Sequence, residues 1–129
     1  MEQKEIIKAQ QLEGRIKELH ENLEFIDSQV LELEQFSNSI SEFGKSKSKE
    51  IIASLGKGVH IPAEITSKSL FVEVGSGVVV KKSPEETLEV VSSQLTRIKE
   101  ARLNLLSEID STRTEFFSII EGLESSQKE

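Results

Sequence analysis

The feature that most constrains this chain is a pair of heptad repeats separated by a segment with a different period. Apolar residues of the first repeat recur at alternating steps of three and four, which predicts a coiled-coil helix. Its seam is formed by Ala9, Leu12, Ile16, Leu19, Leu23, Ile26, Val30 and Leu33. Phe36, Ile40 and Phe43 then follow after a step of three where four is due, which predicts a local overwinding of the supercoil. We expect the helix to continue through this shift and to stop at Gly44.

A second long helix is predicted to begin at Ser83-Pro84-Glu85-Glu86. Ser83 is suited to cap the helix, Pro84 fits the first helical position, and Glu86 completes a capping box. The seam then continues without a break at Leu88, Val91, Leu95, Ile98, Arg102, Leu105, Ile109, Thr112, Phe116, Ile119 and Leu123. Two helices of similar length, joined by a connector that returns to its start, predict an antiparallel hairpin.

The predicted register of this hairpin brings together three pairs of residues, Ile40 with Leu88, Leu23 with Leu105, and Leu12 with Phe116. Arg102 interrupts the seam of the second helix in this register. Because Glu24 and Asp27 of the first helix lie within its reach, we expect an ion pair that helps to set the register.

Between the helices the period of the apolar residues changes to 2, which indicates short strands. We expect two β-hairpins, residues 50–55 with 58–65 and residues 69–74 with 77–82. Gly56, Gly58, Gly75 and Gly77 are suited to the turns, since glycine adopts positive φ at low cost. Pro62 lacks an N–H and is expected at a sheet edge or a bulge. The fold class is therefore α+β, with a coiled-coil hairpin (1–44 and 83–129) and two inserted β-hairpins (45–82) in one domain, 1–129.

The strands are predicted to be the assembly module of an oligomer. Four short strands cannot close a barrel, and exposed apolar edges are an aggregation hazard unless another chain covers them. We therefore expect the strands to pair with strands of other subunits, which would bury their edges. The predicted assembly residues are Val59, Ile61, Ile65, Leu70, Val72, Val74, Val78 and Val80.

Charge and composition disfavour most other classes of function. The net charge is −7, and the acidic balance argues against nucleic acid or membrane as the main partner. The basic residues Lys45, Lys47, Lys49, Lys57, Lys68, Lys81 and Lys82 lie in the connector, where we interpret them as solubilising strand edges and turns, with nucleic-acid binding as the less favoured alternative. No apolar run is long enough to span a membrane, so a soluble, intracellular protein is expected.

No enzyme chemistry is predicted either. The chain has no Cys, and its two histidines, His20 and His60, are too isolated to suggest a metal site. Gly56-Lys57-Gly58 and Gly75-Ser76-Gly77 lack the ending of a phosphate-binding loop and are interpreted as turns. The helix carboxylates Glu18, Glu21, Glu108 and Glu115 lie on solvated faces, so we expect neither catalysis nor a cofactor.

Two stretches of the connector resemble prefoldin α subunits, Leu55-Gly56-Lys57-Gly58-Val59-His60-Ile61-Pro62-Ala63 and Leu70-Phe71-Val72-Glu73-Val74-Gly75-Ser76-Gly77-Val78-Val79-Val80. The likeness extends over essentially the whole chain. Two hairpins favour the α subunit over the β subunit, which has one. The resemblance implies a cytoplasmic, ATP-independent chaperone subunit in a hexamer of two α and four β subunits, in which the strands assemble into a β-barrel body. It also implies that the coiled-coil tips hold unfolded clients and pass them to a group II chaperonin.

Carried over by position, the tips are the first and last turns of the two helices. Five of the eight residues from 116 to 123 are apolar, more than a two-stranded seam requires. The predicted client-binding residues are Ile6, Ile7, Leu12, Phe116, Phe117, Ile119, Ile120 and Leu123. An alternative is that Ile6 and Ile7 close over Ile120 and Leu123 to fill the tip.

Gly14 and Gly122 lie inside the two helices near the same end. Either they loosen the tip, since glycine costs about 1 kcal/mol relative to alanine in a helix, or they relieve local crowding. The alternative for the whole chain is a coiled-coil scaffold or adaptor subunit of another assembly.

Overall fold

The computed structural model describes the backbone of residues 2–128 and the side chains of residues 2–126. Its elements follow in the order α1 (Glu2–Lys45), β1 (Glu50–Gly56), β2 (Val59–Glu64), β3 (Leu70–Gly75), β4 (Val78–Lys82) and α2 (Pro84–Lys128). This arrangement confirms the predicted fold class, two long helices with two antiparallel β-hairpins between them. Within the described residues, no helix is long and apolar enough to cross a membrane.

Contacts divide the chain into two units. One unit, Leu33–Gln94, contains both hairpins with the adjoining ends of the helices, and is called the hairpin unit below. The other contains the remaining parts of α1 and α2 and is called the helical unit.

The core of the helical unit is an apolar cluster between the two helices. Leu19, Leu105 and Ile109 are buried, with Leu19 only 1% exposed, and Leu23 and Ile26 pack against them. Each fully buried side chain of this size contributes about 1.5–3 kcal/mol. Leu23 therefore packs against the cluster that contains Leu105, as the predicted register requires.

Ion pairs and hydrogen bonds join the helices on both sides of this core. Lys8 Nζ lies 3.3 Å from Glu115 Oε1, and an Arg15 guanidinium nitrogen lies 2.7 Å from Glu108 Oε1. The hydrogen bond and the charge of Glu108 raise the pKa of Arg15. Arg102 donates its Nε–H to Asp27 Oδ1 at 2.6 Å, so the predicted ion pair forms with Asp27. These exposed pairs agree with the antiparallel register that the apolar core sets.

Each hairpin forms a separate two-stranded antiparallel sheet. Pro62 lies opposite Ile52, and since both strands of a two-stranded sheet are edge strands, Pro62 is on an edge as predicted. The first turn has φ values of +108° at Gly56, +52° at Lys57 and +80° at Gly58, and the second turn repeats this pattern. Glycine flanks each turn because the left-handed region is costly for residues with a Cβ.

The start of α2 has the predicted capping box. Glu86 N donates to Ser83 Oγ at 3.1 Å, and Ser83 N donates to Glu86 Oε1 at 3.3 Å. The next residue, Thr87, is buried, and its hydroxyl donates to the Ser83 carbonyl at 2.9 Å. The chain direction at this helix start is therefore fixed by local hydrogen bonds.

The predicted seam is wrong at Phe36. Its side chain is 47% exposed, whereas Ser37, which continues the unshifted heptad, is half-buried. Phe36 lines an open groove with Phe71, Val90 and Val91, so it faces the β3–β4 hairpin at the side of the seam. The helix does continue through this point, as predicted, and ends at Lys45.

Candidate assembly and client-binding surfaces

The predicted assembly residues lie on both hairpins and are largely open to solvent. Five of them are exposed, Val59, Ile61, Val74, Val78 and Val80, and three are half-buried, Ile65, Leu70 and Val72. We call this set the hairpin surface. Its strands have unpaired edges and apolar side chains, the combination that pairs with other strands.

Sequence reasoning missed the opposite faces of the same hairpins. Ile52 is 74% exposed and Phe71 is 75% exposed, more than any of the predicted assembly residues. Cross-strand pairs place Ile52 opposite Pro62 and Phe71 opposite Lys81, on the faces that the predicted residues do not use. The adjacent apolar residues Ile51 and Ile52 were the available signal, because a strand covered on one face only would alternate with polar residues. Both faces of the hairpins therefore carry apolar side chains.

The predicted client-binding residues divide into an exposed and a half-buried group. Ile6, Ile7 and Phe117 are exposed, and Leu12, Phe116, Ile119, Ile120 and Leu123 are half-buried. We call all eight the terminal surface. The rings of Phe116 and Phe117 meet edge to face, with centroids 5.8 Å apart and planes at 61°. The structure thus leaves three large apolar side chains open where the two helix ends meet.

The two helical glycines near the terminal surface do not relieve crowding. A Cβ built on Gly14 or on Gly122 meets no described atom within 4 Å. The crowding interpretation is therefore wrong for both positions. Their proposed loosening of the helix ends stays a prediction.

Several polar residues singled out in the sequence make contacts with neighbouring side chains or with the backbone. Among the described residues, no group of three or more His, Cys, Asp or Glu side chains could hold a metal ion. His20 Nε2 accepts a hydrogen bond from Arg113 at 2.8 Å, since a guanidinium can only donate. Glu108 and Glu115 pair with cations of α1. Thr112 of the seam donates its hydroxyl to the Glu108 carbonyl at 2.7 Å, within its own helix.

Comparisons with known proteins identify the family. The family model described as prefoldin subunit matches residues 12–129. Prefoldin subunit alpha of Archaeoglobus fulgidus is 31% identical over 121 residues, which cover 93% of this chain and 84% of that protein. Prefoldin subunit alpha 2 of Thermococcus kodakarensis is 29% identical over 86 residues, which cover 66% of this chain and 61% of that protein.

A solved structure shares the fold. The cryo-EM structure of filamentous PFD from Methanocaldococcus jannaschii matches with a TM-score of 0.74 at 16% identity, covering 87% of this chain and 94% of that one. The family match, the alpha-subunit relatives and the shared fold agree with one another. The chain therefore belongs to the prefoldin family, as a subunit of the alpha type.

Proposed function

We propose that this chain is the α subunit of a holdase, a chaperone that holds unfolded polypeptides without using ATP. It acts as one domain, 1–129, whose hairpin surface assembles with prefoldin β subunits into a cytoplasmic hexamer of two α and four β subunits. Its terminal surface captures unfolded clients, which then pass to a group II chaperonin. The observation that carries the proposal is the exposure of Ile6, Ile7 and Phe117 where the two helix ends meet.

The proposed assembly through the hairpins is supported by the apolar side chains and strand edges that the hairpins leave exposed. A two-stranded hairpin is marginally stable alone, and these hairpins expose apolar side chains on both faces. Strands of neighbouring subunits would pair with the free edges and cover the apolar faces. Membership in the prefoldin family supports neighbours of the same family.

Client capture follows from the chemistry of the terminal surface. Unfolded polypeptides expose apolar side chains at irregular spacing, so a few apolar residues on one subunit bind them weakly. Several such surfaces in one complex raise the affinity through multivalency. Reversible binding of this kind needs no nucleotide.

The test replaces the exposed residues of the terminal surface in the full-length chain. In the variant Ile6→Ser, Ile7→Ser, Phe117→Ser, three side chains that are 45–58% exposed lose their apolar character. The control Phe25→Ser, Leu31→Ser, Leu103→Ser removes three side chains of the helical unit that are 56–65% exposed and lie outside the terminal surface. Both are measured by native mass and by suppression of aggregation when a denatured enzyme is diluted from guanidinium.

We expect the first variant to assemble normally and to lose most of its suppression of aggregation, while the control retains it. Equal loss in both variants would mean that general surface hydrophobicity, and not the terminal surface, holds clients. Full activity in the first variant would exclude the terminal surface as the client site.

A scaffold function is the second candidate. The likeness to a filamentous PFD structure favours it, because strand edges that pair head to tail generate an open filament when the rotation does not close. In that case the chain would be a scaffold or adaptor subunit in an open series of subunits and would bind defined folded partners. Native mass separates this open series from a closed hexamer with a second subunit.

A further inference from the structure

The last backbone carbonyls of α1 accept hydrogen bonds from the side chain of Lys68, which lies between the two β-hairpins. The last carbonyls of a helix have no partner within it. In α1, the Glu42 carbonyl accepts a hydrogen bond from Ser46 N at 2.9 Å. The carbonyls of Phe43 and Gly44 accept from the ammonium group of Lys68, at 2.8 and 3.5 Å. The Ser46 carbonyl, just beyond the helix, accepts from the same ammonium group.

Backbone carbonyls and an aromatic ring make this site favourable for a cation. The ammonium group has three N–H donors, and three backbone carbonyls surround it. It also lies 5.4 Å from the centroid of the Phe43 ring, within the range of a cation–π interaction. The C-terminal end of a helix carries partial negative charge, which attracts cations. The prediction that Lys68 solubilises a strand edge is therefore wrong, because its side chain is half-buried against α1.

The contact of Lys68 with α1 also holds the linker that joins the two hairpins. Lys68 lies in the linker between the hairpins, two residues before β3 begins. At the start of this linker, the Ile65 N–H donates to the Lys49 carbonyl at 2.6 Å. The two hairpins belong to separate sheets. The linker is therefore the covalent connection between two halves of the hairpin surface.

The start of α2 meets the end of α1 beside the same linker. Gly44 packs against the ring of Pro84, and a Cβ at position 44 would lie 3.2 Å from Pro84 Cβ. Gly44, Lys68, Ser83 and Pro84 line one shallow cleft. We call these four residues the linker junction, because the end of α1, the linker and the start of α2 meet there.

We propose that Lys68 is a positioning residue for subunit assembly. By holding the linker to the carbonyls of α1, it fixes where β3 begins and so preorganises the two hairpins for pairing with other subunits. Ordering a mobile linker at association would otherwise weaken binding. This inference rests on the proposed function, since it assigns a role in the assembly that the hairpin surface performs.

The test compares Lys68→Met with Lys47→Met in the full-length chain. Both changes remove one positive charge, but Lys47 is exposed in the segment after α1. Each tagged variant is produced in the source cells, and the subunits that copurify are measured by native mass spectrometry over a dilution series. Amide exchange is followed in the last turn of α1 and in the linker.

For Lys68→Met we expect faster exchange in both segments and roughly tenfold weaker assembly, as expected when charged contacts at a helix end are lost. Lys47→Met should match the wild type, and Lys68→Arg should recover much of the assembly because it keeps the charge. If Lys68→Met does not fold, Phe43→Leu keeps an apolar side chain in the seam while it removes the ring beneath the ammonium group, and it should weaken assembly in the same direction by a smaller factor.

Faster exchange with unchanged assembly would overturn the inference, since Lys68 would then be only a local helix cap. Unchanged exchange would overturn it as well. A wild-type chain that recovers no prefoldin subunits would instead overturn the proposed assembly itself. The wild-type sample thus separates the failure of the inference from the failure of the proposed function.

Discussion

At the scale of single residues, local chemistry made some positions predictable and left others hidden. The capping box of Ser83 and Glu86 was predictable because its partners lie three residues apart and their roles are set by the helix start itself. Lys68 was not predictable, since its carbonyl partners lie 22–25 residues earlier in the sequence. Phe36 was misplaced because two heptad phases were compatible with the sequence. The exposure of Phe36 and the half-burial of Ser37 show which phase holds at this point of α1.

The capping box predicts a pH dependence of stability. The N–H of Ser83 contributes most to lowering the pKa of the Glu86 carboxyl below its ordinary 4.5, and the Ser83 hydroxyl and the charge of Lys82 lower it further. A carboxylate whose pKa is lowered by folding stabilises the folded state above its unfolded pKa, and this contribution is lost as the pH falls through the folded pKa.

The variant Glu86→Gln keeps a hydrogen-bonding side chain but cannot titrate. We expect it to be less stable than the wild type at pH 7, with the difference shrinking as the pH falls below 4.5. Thermal unfolding of both proteins between pH 3 and pH 7 measures this difference. A difference that stays constant over this range would show that the charge of Glu86 does not contribute.

At the scale of elements, helices and strands were predictable because their periods differ. The structure places the strands within about one residue of the predicted bounds, and the shared Gly-x-Gly turns explain why, since positive φ fixes each reversal. The faces of the strands were less predictable. Alternation assigned Val72 and Val80 to the assembly surface, but the exposed Phe71 and Ile52 on the other faces were missed. In the proposed assembly, the neighbouring subunit would decide which faces are covered, and the sequence of one chain does not contain that subunit.

The helical glycines give a prediction at this scale. In the double variant Gly14→Ala, Gly122→Ala, each added methyl group extends into open space. Each change should therefore stabilise its helix by about 1 kcal/mol. We expect slower amide exchange in the first turns of α1 and the last turns of α2. If loosening of these turns helps the terminal surface to adapt to clients, suppression of aggregation should fall at the same time.

The double variant Ser28→Ala, Ser107→Ala is the matched control, because it raises helix propensity at two exposed positions of the helical unit outside the terminal surface. We expect it to leave exchange in the terminal turns and suppression of aggregation unchanged. Unchanged exchange at the terminal turns of the glycine double variant would show that Gly14 and Gly122 do not loosen them.

At the scale of the whole molecule, the chain buries few side chains for its length. Among the described residues, the buried hydrophobic side chains are Ala9, Leu19, Val91, Leu105 and Ile109. Large apolar side chains remain exposed on both hairpins, as the predicted need for partner subunits implies. The charge distribution also differs between the connector and the helices. Basic residues are concentrated in residues 44–82, and acidic residues are in excess on the helices. In the proposed assembly, neighbouring subunits would cover these apolar side chains and so add to the stability of the chain.

The most direct test of this account is the native mass and subunit ratio of the complex that a tagged copy of this chain recovers from its source cells. The account predicts a closed hexamer with two copies of this chain and four copies of a second, smaller coiled-coil subunit. A monomer, an open series of copies of this chain, or a complex with unrelated folded proteins would contradict it and favour the scaffold function.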